Sequence, residues 1–232
     1  MTQPTEGHTV HRYDGELNHI HLLALEMGGF VVDQLASALA ALATQDIKLA
    51  RSVSERDHRV NAMEVSTDSE IVTVLAKRSP VARDLRAVMA ISKTIADLER
   101  IGDEAAKVAE IGVAMFSGDG SDPNKLLLRD IRVVGDLATA MLRKVLIAFD
   151  KFDFEAAEQV LRMRVEIGDE FQSALRRLAT FIMEDPRNLG HTINIVLILK
   201  ELERIGDYSR NIAESVIYLI KGDDVRHQIP EP

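Results

Sequence analysis

The chain has 232 residues, with 28 Lys and Arg against 37 Asp and Glu, which gives a formal net charge of −9. A hydrophobic content of 46% beside 28% charged residues is typical of a soluble globular chain and too apolar for a disordered one. The absence of Cys excludes disulfides, thiolate metal sites and cysteine nucleophiles, and the acidic balance argues against nucleic acid as a partner.

The N-terminal residues 1–14 are polar and lack the apolar stretch of a secretory signal. The longest uncharged apolar run, 35–43, is far shorter than the roughly 20 residues of a membrane span. We therefore expect a cytoplasmic chain that meets a membrane only indirectly, through its partners.

Apolar residues recur at three- and four-residue intervals through 22–42, which predicts a first helix. A polar break at 44–46 precedes a second helix, for which Asp46 is the expected N-cap. Pro80 is expected to end this helix, because the residue before a proline avoids the α-helical conformation. A third helix is predicted from about 81 to 116.

The stretch 117–123 combines Gly, Ser, Asp and Pro in the middle of the chain and predicts a linker. Beyond it, helices are predicted at about 125–149, 154–183 and 188–221. The expected fold class is all-α, with two tandem, homologous three-helix bundles. The chain is predicted to begin with a polar extension (1–12) and a first bundle (13–117). A linker (118–124), a second bundle (125–221) and a polar tail (222–232) follow.

A repeated motif supports the duplication. Residues 97–110 and 201–214 are identical at eight of 14 positions, whereas composition alone predicts roughly one identity. The offset of 104 residues is too long for a solenoid repeat. The repeating unit is therefore a small bundle.

Each copy of the motif places three carboxylates on one helix face, because spacings of four and seven residues bring side chains to similar angles. They are Glu99, Asp103 and Glu110 in the first copy, and Glu203, Asp207 and Glu214 in the second. Like charges at this spacing repel each other, and carboxylate oxygens bind divalent or trivalent cations. Both faces are candidate metal sites, and Asn211 adds an amide oxygen close to Asp207.

A solvated face with ordinary salt bridges is the alternative interpretation. In the first copy, Lys107 occupies the position of Asn211 and could pair with Asp103.

The second predicted helix carries a further polar stripe that keeps one face. Its members are Asp57, Asn61, Glu64 and Asp68, of which we take Asp57 and Asn61 as candidate metal ligands. The second half lacks a regular counterpart, since Arg164 and Gly168 stand where Asp57 and Asn61 would align. The first bundle therefore has the fuller ligand set if metal binds between helices, although Lys107 counts against it.

Two Glu-x-x-His pairs raise a different function class, a metal-dependent carboxylate-bundle enzyme of the di-iron type. They are Glu16 with His19 and Glu55 with His58. Such an enzyme needs both pairs to face one bundle core. The chain has no Gly-rich phosphate loop, nucleophile elbow or dinucleotide fingerprint.

The duplicated Glu-Arg-Ile-Gly-Asp helices resemble those of the PhoU family, phosphate-signalling regulators associated with the bacterial phosphate-specific ABC transporter. The segment Ala82-Arg83-Asp84-Leu85-Arg86 after the helix-ending proline and Met27-Gly28 in the first helix resemble the same family. The resemblance covers about 13–221. It implies two similar three-helix bundles and a cytoplasmic, homodimeric, non-enzymatic protein.

The resemblance also implies a function. PhoU-like proteins repress the phosphate regulon when phosphate is plentiful, by linking the transporter, through its ATPase subunit, to the phosphate-sensing histidine kinase. Some bind iron, zinc, manganese or magnesium, and the family's carboxylates fall here on Glu99, Asp103, Glu203 and Asp207. The family's following Asn and Glu fall on Asn211 and Glu214, whereas the first bundle departs from the pattern with Lys107 before Glu110.

Overall fold

The computed structural model describes residues 11–117 and 125–222, and these residues form helices joined by short connections, without a strand. The predicted linker 118–124 lies outside the described residues, as do 1–10 and 223–232 of the predicted ends. The helices are α1 (His11–Thr44), α2 (Ile47–Arg78), α3 (Ala82–Phe116), α4 (Lys125–Lys151), α5 (Phe154–Glu184) and α6 (Leu189–Lys221), with a 3₁₀ turn at Pro186–Asn188. The all-α prediction is confirmed.

The helix ends follow from local chemistry. Asp46 caps α2 by accepting hydrogen bonds from the backbone N–H groups of Lys48 and Leu49, at 2.9 and 3.0 Å. Ser79 adopts a left-handed conformation with φ of 46°, which ends α2 directly before Pro80. The first helix begins well before the predicted residue 22, because Leu17 and Ile20 are fully buried and extend its apolar face.

Replacing the N-cap Asp46 by alanine should lower the free energy of unfolding by about 1 kcal/mol, because two N–H groups of α2 lose their acceptor. Asp46→Asn keeps an acceptor oxygen and should cost only a few tenths of that. Urea denaturation of the two variants measures the difference. Equal losses would contradict the capping role.

The six helices form two three-helix bundles in tandem. In the first, α1, α2 and α3 pack against one another, and in the second, α4, α5 and α6 do the same. The bundles meet where α3 lies along α6 and α1 contacts α4. One apolar core runs through both bundles, so the two repeats are fused into a continuous structure.

The contacts between the bundles follow a pseudo-twofold axis. Asp97 contacts Asn211 and Glu104 contacts Arg204, so α3 and α6 are antiparallel and their register is centred near 102 and 206. Contacts between α1 and α4 are reciprocal in the same way. A Cβ atom at Gly28 would lie 2.5 Å from a methyl group of Leu146, and one at Gly135 would lie 2.6 Å from a methyl group of Leu39.

A group of charged side chains lies in the α3–α6 contact around the buried Glu104, and we call it the junction cluster: Glu104, Lys107, Glu201 and Arg204. Glu104 is 1% exposed, forms an ion pair with Arg204 at 2.9 Å and accepts a hydrogen bond from Lys107 at 3.1 Å. Burial, reinforced by a hydrogen bond with Glu201, raises the pKa of Glu104 to about 7.

One helix, α1, has a segment at Asp14–Thr44 that is long and apolar enough to cross a membrane on length and composition alone. In this structure α1 packs against α2, α3 and α4. Its apolar residues therefore contribute to the core between the bundles.

Candidate metal centre

The face of α3 that contains Glu99 and Asp103 packs against α2. Gly102, between the two carboxylates, allows a close approach, since a Cβ atom there would lie 3.1 Å from Val60 Cγ1 and 3.5 Å from Asp57 Oδ1. The spacing that the two copies of the motif share thus has a packing role as well as an electrostatic one. It brings the polar stripe of α2 against the carboxylates of α3.

Four partly buried acidic side chains meet between these helices, and we call them the acidic cluster: Asp57, Glu64, Glu99 and Asp103. Burial is the main cause that raises the pKa values of Glu64, Glu99 and Asp103, and the negative charges of their neighbours raise them further. The nearby carboxylate of Asp57 is one of the neighbours that raise the pKa of Asp103. The cluster therefore favours a bound proton or cation over four free carboxylates.

Two amide side chains adjoin the acidic cluster. Gln34 of α1 is 1% exposed, and its Nε2 donates to Asp57 Oδ1 at 3.1 Å and to the Gly102 carbonyl at 3.2 Å. Its Oε1 is buried without a hydrogen-bond partner, as is Oδ1 of Asn61. Buried oxygens of this kind are normally satisfied, and amide oxygens are suitable ligands for hard cations.

Lys107, the residue that departs from the family pattern, donates to Glu104 at 3.1 Å. Its positive charge lowers the pKa of Asp103 somewhat, but its hydrogen bond is to Glu104 of the junction cluster. Glu110 is exposed, nearly two helical turns beyond Asp103. The structure therefore brings Asp57, Asn61, Glu99 and Asp103 together and leaves Glu110 apart from them.

Within residues 11–117 and 125–222, no group of three or more His, Asp or Glu side chains already has the arrangement of a metal site. The acidic cluster supplies oxygen donors and excess negative charge without a formed coordination shell. Cation binding there would require side-chain movement and would be favoured as the carboxyl of Asp103 loses its proton.

The corresponding carboxylates of the second bundle, Glu203 and Asp207, are bound by Arg164 of α5. Arg164 Nε donates to Asp207 at 2.5 Å and Nη2 donates to Glu203 at 3.2 Å. Burial disfavours the charged guanidinium, but the hydrogen bonds and charges of these two carboxylates outweigh it and raise the pKa of Arg164. Lys200 also contacts Glu203, at 2.7 Å.

Asn211 and Glu214 lie elsewhere, in the contact between α3 and α6. Asn211 donates to Asp97 at 3.4 Å, and the buried Glu214 accepts from Arg210 at 2.8 Å. Glu214 and Glu203 lie on the same face of α6, but Glu214 is roughly 16 Å further along the helix axis. The four predicted ligands of the second bundle are therefore divided between two places.

The two Glu-x-x-His pairs do not meet in a bundle core. Glu16 binds Arg78 through two hydrogen bonds, at 2.7 and 2.9 Å, while His19 and both members of the second pair are exposed. A di-iron centre built from these motifs is not assembled in this structure.

Comparison with known proteins gives a consistent result over both bundles. The PhoU domain family matches residues 24–112 and again residues 131–216. The phosphate-specific transport system accessory protein PhoU of Escherichia coli K12 is 39% identical over 220 residues, which cover 95% of this chain and 90% of that protein. A protein of Pseudomonas putida described as a homologue of this accessory protein is 42% identical, with coverage of 95% and 85%.

Solved structures agree. The crystal structure of PhoU from Pseudomonas aeruginosa superposes with a TM-score of 0.86 at 42% identity, over 91% of this chain and all of that chain. The phosphate transport system regulatory protein PhoU from Streptococcus pneumoniae superposes with a TM-score of 0.82 at 27% identity, over 91% of this chain and 98% of that one.

Proposed function

Because the chain belongs to the PhoU family, we propose that it regulates phosphate uptake and phosphate homeostasis as an accessory protein of a phosphate transport system. The single observation that supports this most strongly is its 39% identity, over 95% of its length, to an accessory protein of that description. We further propose that it negatively regulates the phosphate regulon when phosphate is plentiful.

The mode of action that we propose is that of a cytoplasmic adaptor without enzymatic activity. It would form a homodimer and contact both the ATPase subunit of the phosphate ABC transporter and the phosphate-sensing histidine kinase, and so reach the membrane only through partners. Co-purification of these two proteins with the tagged chain, and light scattering of the pure protein, test the contacts and the dimer.

We propose a metal-binding role for the first bundle, with Asp57, Asn61, Glu99 and Asp103 as the residues that hold a divalent or trivalent ion such as iron, zinc, manganese or magnesium. The unpartnered oxygens of Asn61 and Gln34 and the raised pKa values of Glu99 and Asp103 support it. A bound cation would supply the positive charge that lets α2 and α3 remain paired across their carboxylates.

A genetic experiment tests the regulatory role. Deletion of the gene in its native host should raise phosphatase expression at high phosphate, and the wild-type chain should restore repression. A strain that stays fully repressed without the protein would contradict the proposed function. The variant with Asp57→Asn and Asp103→Asn, compared with Glu110→Gln as an exposed control on the same helix, shows whether repression depends on the acidic cluster.

Removal and addition of metal should change stability in a defined way. Mn²⁺ at a hundredfold excess over its dissociation constant should stabilise the wild-type protein by about 2.7 kcal/mol, and EDTA should reverse this. The variant with Asp57→Asn and Asp103→Asn should lose the response while being at least as stable as wild type in EDTA, because charge repulsion is reduced. Differential scanning calorimetry measures both effects. An undiminished Mn²⁺ response in this variant would contradict the site.

A further inference from the structure

We infer that Arg164 is a built-in cation of the second bundle, which occupies the position that metal is proposed to occupy in the first, so that the chain has one metal-binding bundle rather than two. The inference rests on the proposed function for the first-bundle metal, but the role of Arg164 itself is observed in contacts that the structure contains.

The packing of the two bundles fixes which residues correspond. Gly102 packs on Val60 and Gly206 packs on Ile167, so α2 and α5 align with an offset of 107 residues. Five polar residues of α1 and α2 in or next to the acidic cluster then have a basic side chain, an apolar side chain or a glycine as their counterpart. The pairs are Gln34 with Met141, Asp57 with Arg164, Asn61 with Gly168, Glu64 with Phe171, and Asp68 with Leu175.

Two glycines provide the space for the guanidinium. A Cβ atom at Gly168 would lie 3.1 Å from Arg164 Nη1, and one at Gly206 would lie 3.5 Å from Arg164 Cδ. The amide present at the first-bundle position, Asn61, would therefore crowd Arg164 if it stood at 168. The guanidinium of Arg164 therefore needs the space that Gly168 leaves, and with a glycine at that position the second bundle lacks the amide oxygen that Asn61 supplies in the first.

The hydrogen bonds of Arg164 match the spacing of the motif. The guanidinium donates to Asp207 and to Glu203, the counterparts of Asp103 and Glu99, and its side chain is 19% exposed. A guanidinium keeps its charge at all physiological pH values. Because Arg164 and Lys200 offset the two negative charges, a further cation would gain little from binding there.

The expected result is an asymmetric response to metal. The first bundle should bind metal and respond to chelators, whereas the second should keep α5 and α6 paired whether or not metal is present. This arrangement restricts any metal-sensing role of the protein to one of its two similar halves.

Titration of the EDTA-treated full-length protein with Mn²⁺, followed by the electron paramagnetic resonance signal of the free ion, tests the inference. The variant with Asp57→Asn and Asp103→Asn should bind Mn²⁺ about tenfold more weakly or worse. The variant with Glu203→Gln and Asp207→Asn should keep the wild-type stoichiometry and affinity. A loss of bound Mn²⁺ from this second variant would overturn the inference.

A thermal denaturation series in EDTA tests Arg164 independently of any metal. Arg164→Met should lower the melting temperature by about 5 °C in the wild-type background, and by much less when Glu203→Gln and Asp207→Asn are already present. Arg162→Met, at an exposed neighbouring position of α5, is the matched control and should have little effect.

The two arms separate the possible failures. If wild-type protein binds no Mn²⁺ in the titration, the metal-binding part of the proposed function fails, while the denaturation series still decides the role of Arg164. Equal losses from Arg164→Met in both backgrounds would show that Arg164 does not act as the counter-cation of Glu203 and Asp207, and would overturn the inference.

Discussion

Above pH 7, where Glu104 with its pKa of about 7 is ionised, Arg204→Met should lower the free energy of unfolding by about 3 kcal/mol, because it leaves the carboxylate of Glu104 buried without its 2.9 Å partner. The remaining contact from Lys107 at 3.1 Å keeps the loss from being larger. Since Arg204 joins α6 to α3, the change weakens the contact between the bundles rather than one bundle alone. Urea denaturation followed by circular dichroism measures the loss.

The matched control is an exposed pair, Arg132 with Asp136, at 3.9 Å and with side chains 84% and 75% exposed. Arg132→Met should change the free energy of unfolding by less than about 1 kcal/mol. If both variants are equally stable, the junction cluster contributes no more than a surface salt bridge.

The junction cluster also makes the free energy of unfolding depend on pH, through Glu104. The pKa of Glu104 is raised from 4.5 to about 7, mainly by burial, so between these pH values the folded chain holds a proton that the unfolded chain releases. The stabilisation from protonated Glu104 is therefore full below pH 4.5 and is lost as the pH rises towards 7. Glu104→Gln removes the titrating group and should flatten this part of the profile.

Phe149→Ala should cost about 3–5 kcal/mol, because the ring is 1% exposed in the core between the bundles and stacks on His21 with 4.6 Å between ring centroids. Ile147→Ala, at a position of the same helix that is 51% exposed, should cost about 0.5 kcal/mol or less. Chemical denaturation of the two variants gives the comparison. Similar losses would mean that the α1–α4 contact is not a packed core.

The pKa of the His21 imidazole provides a second measurement of the effect of Phe149→Ala. Burial lowers the pKa of His21, and Asp150 opposes the shift only in part. The stability associated with neutral His21 is therefore full above pH 6.5 and is lost progressively as the pH falls below that value. The cavity left by Phe149→Ala admits water, so the pKa of His21 should rise towards 6.5 in an NMR titration.

The secondary structure was largely predictable because its signals are local. Asp46 and Pro80 mark the limits of α2 through backbone chemistry that does not depend on the rest of the chain. The start of α1 was placed too late, since polar residues between Leu17 and Ile20 obscured an apolar face whose burial becomes evident only when α2 and α3 are present.

The candidate site was predictable only in part. Spacing along one helix shows which of its residues share a face, but it does not show which residues of other helices pack against that face. Glu203 and Asp207 share a face as predicted, but the sequence did not reveal that Arg164 binds both. Gln34 was missed although it carried a signal: it is a polar residue within the apolar stripe that includes Val31 and Leu35.

The reciprocal contacts of Gly28 with Leu146 and of Gly135 with Leu39 are those of an isologous interface, the kind that two identical chains form. In such a homodimer, each substitution appears at both equivalent sites at once. Joining the two copies in one chain removes that restriction, so one copy can keep Asp57 while the other has Arg164. The covalent connection thus permits two sites of opposite charge to share a single symmetric framework.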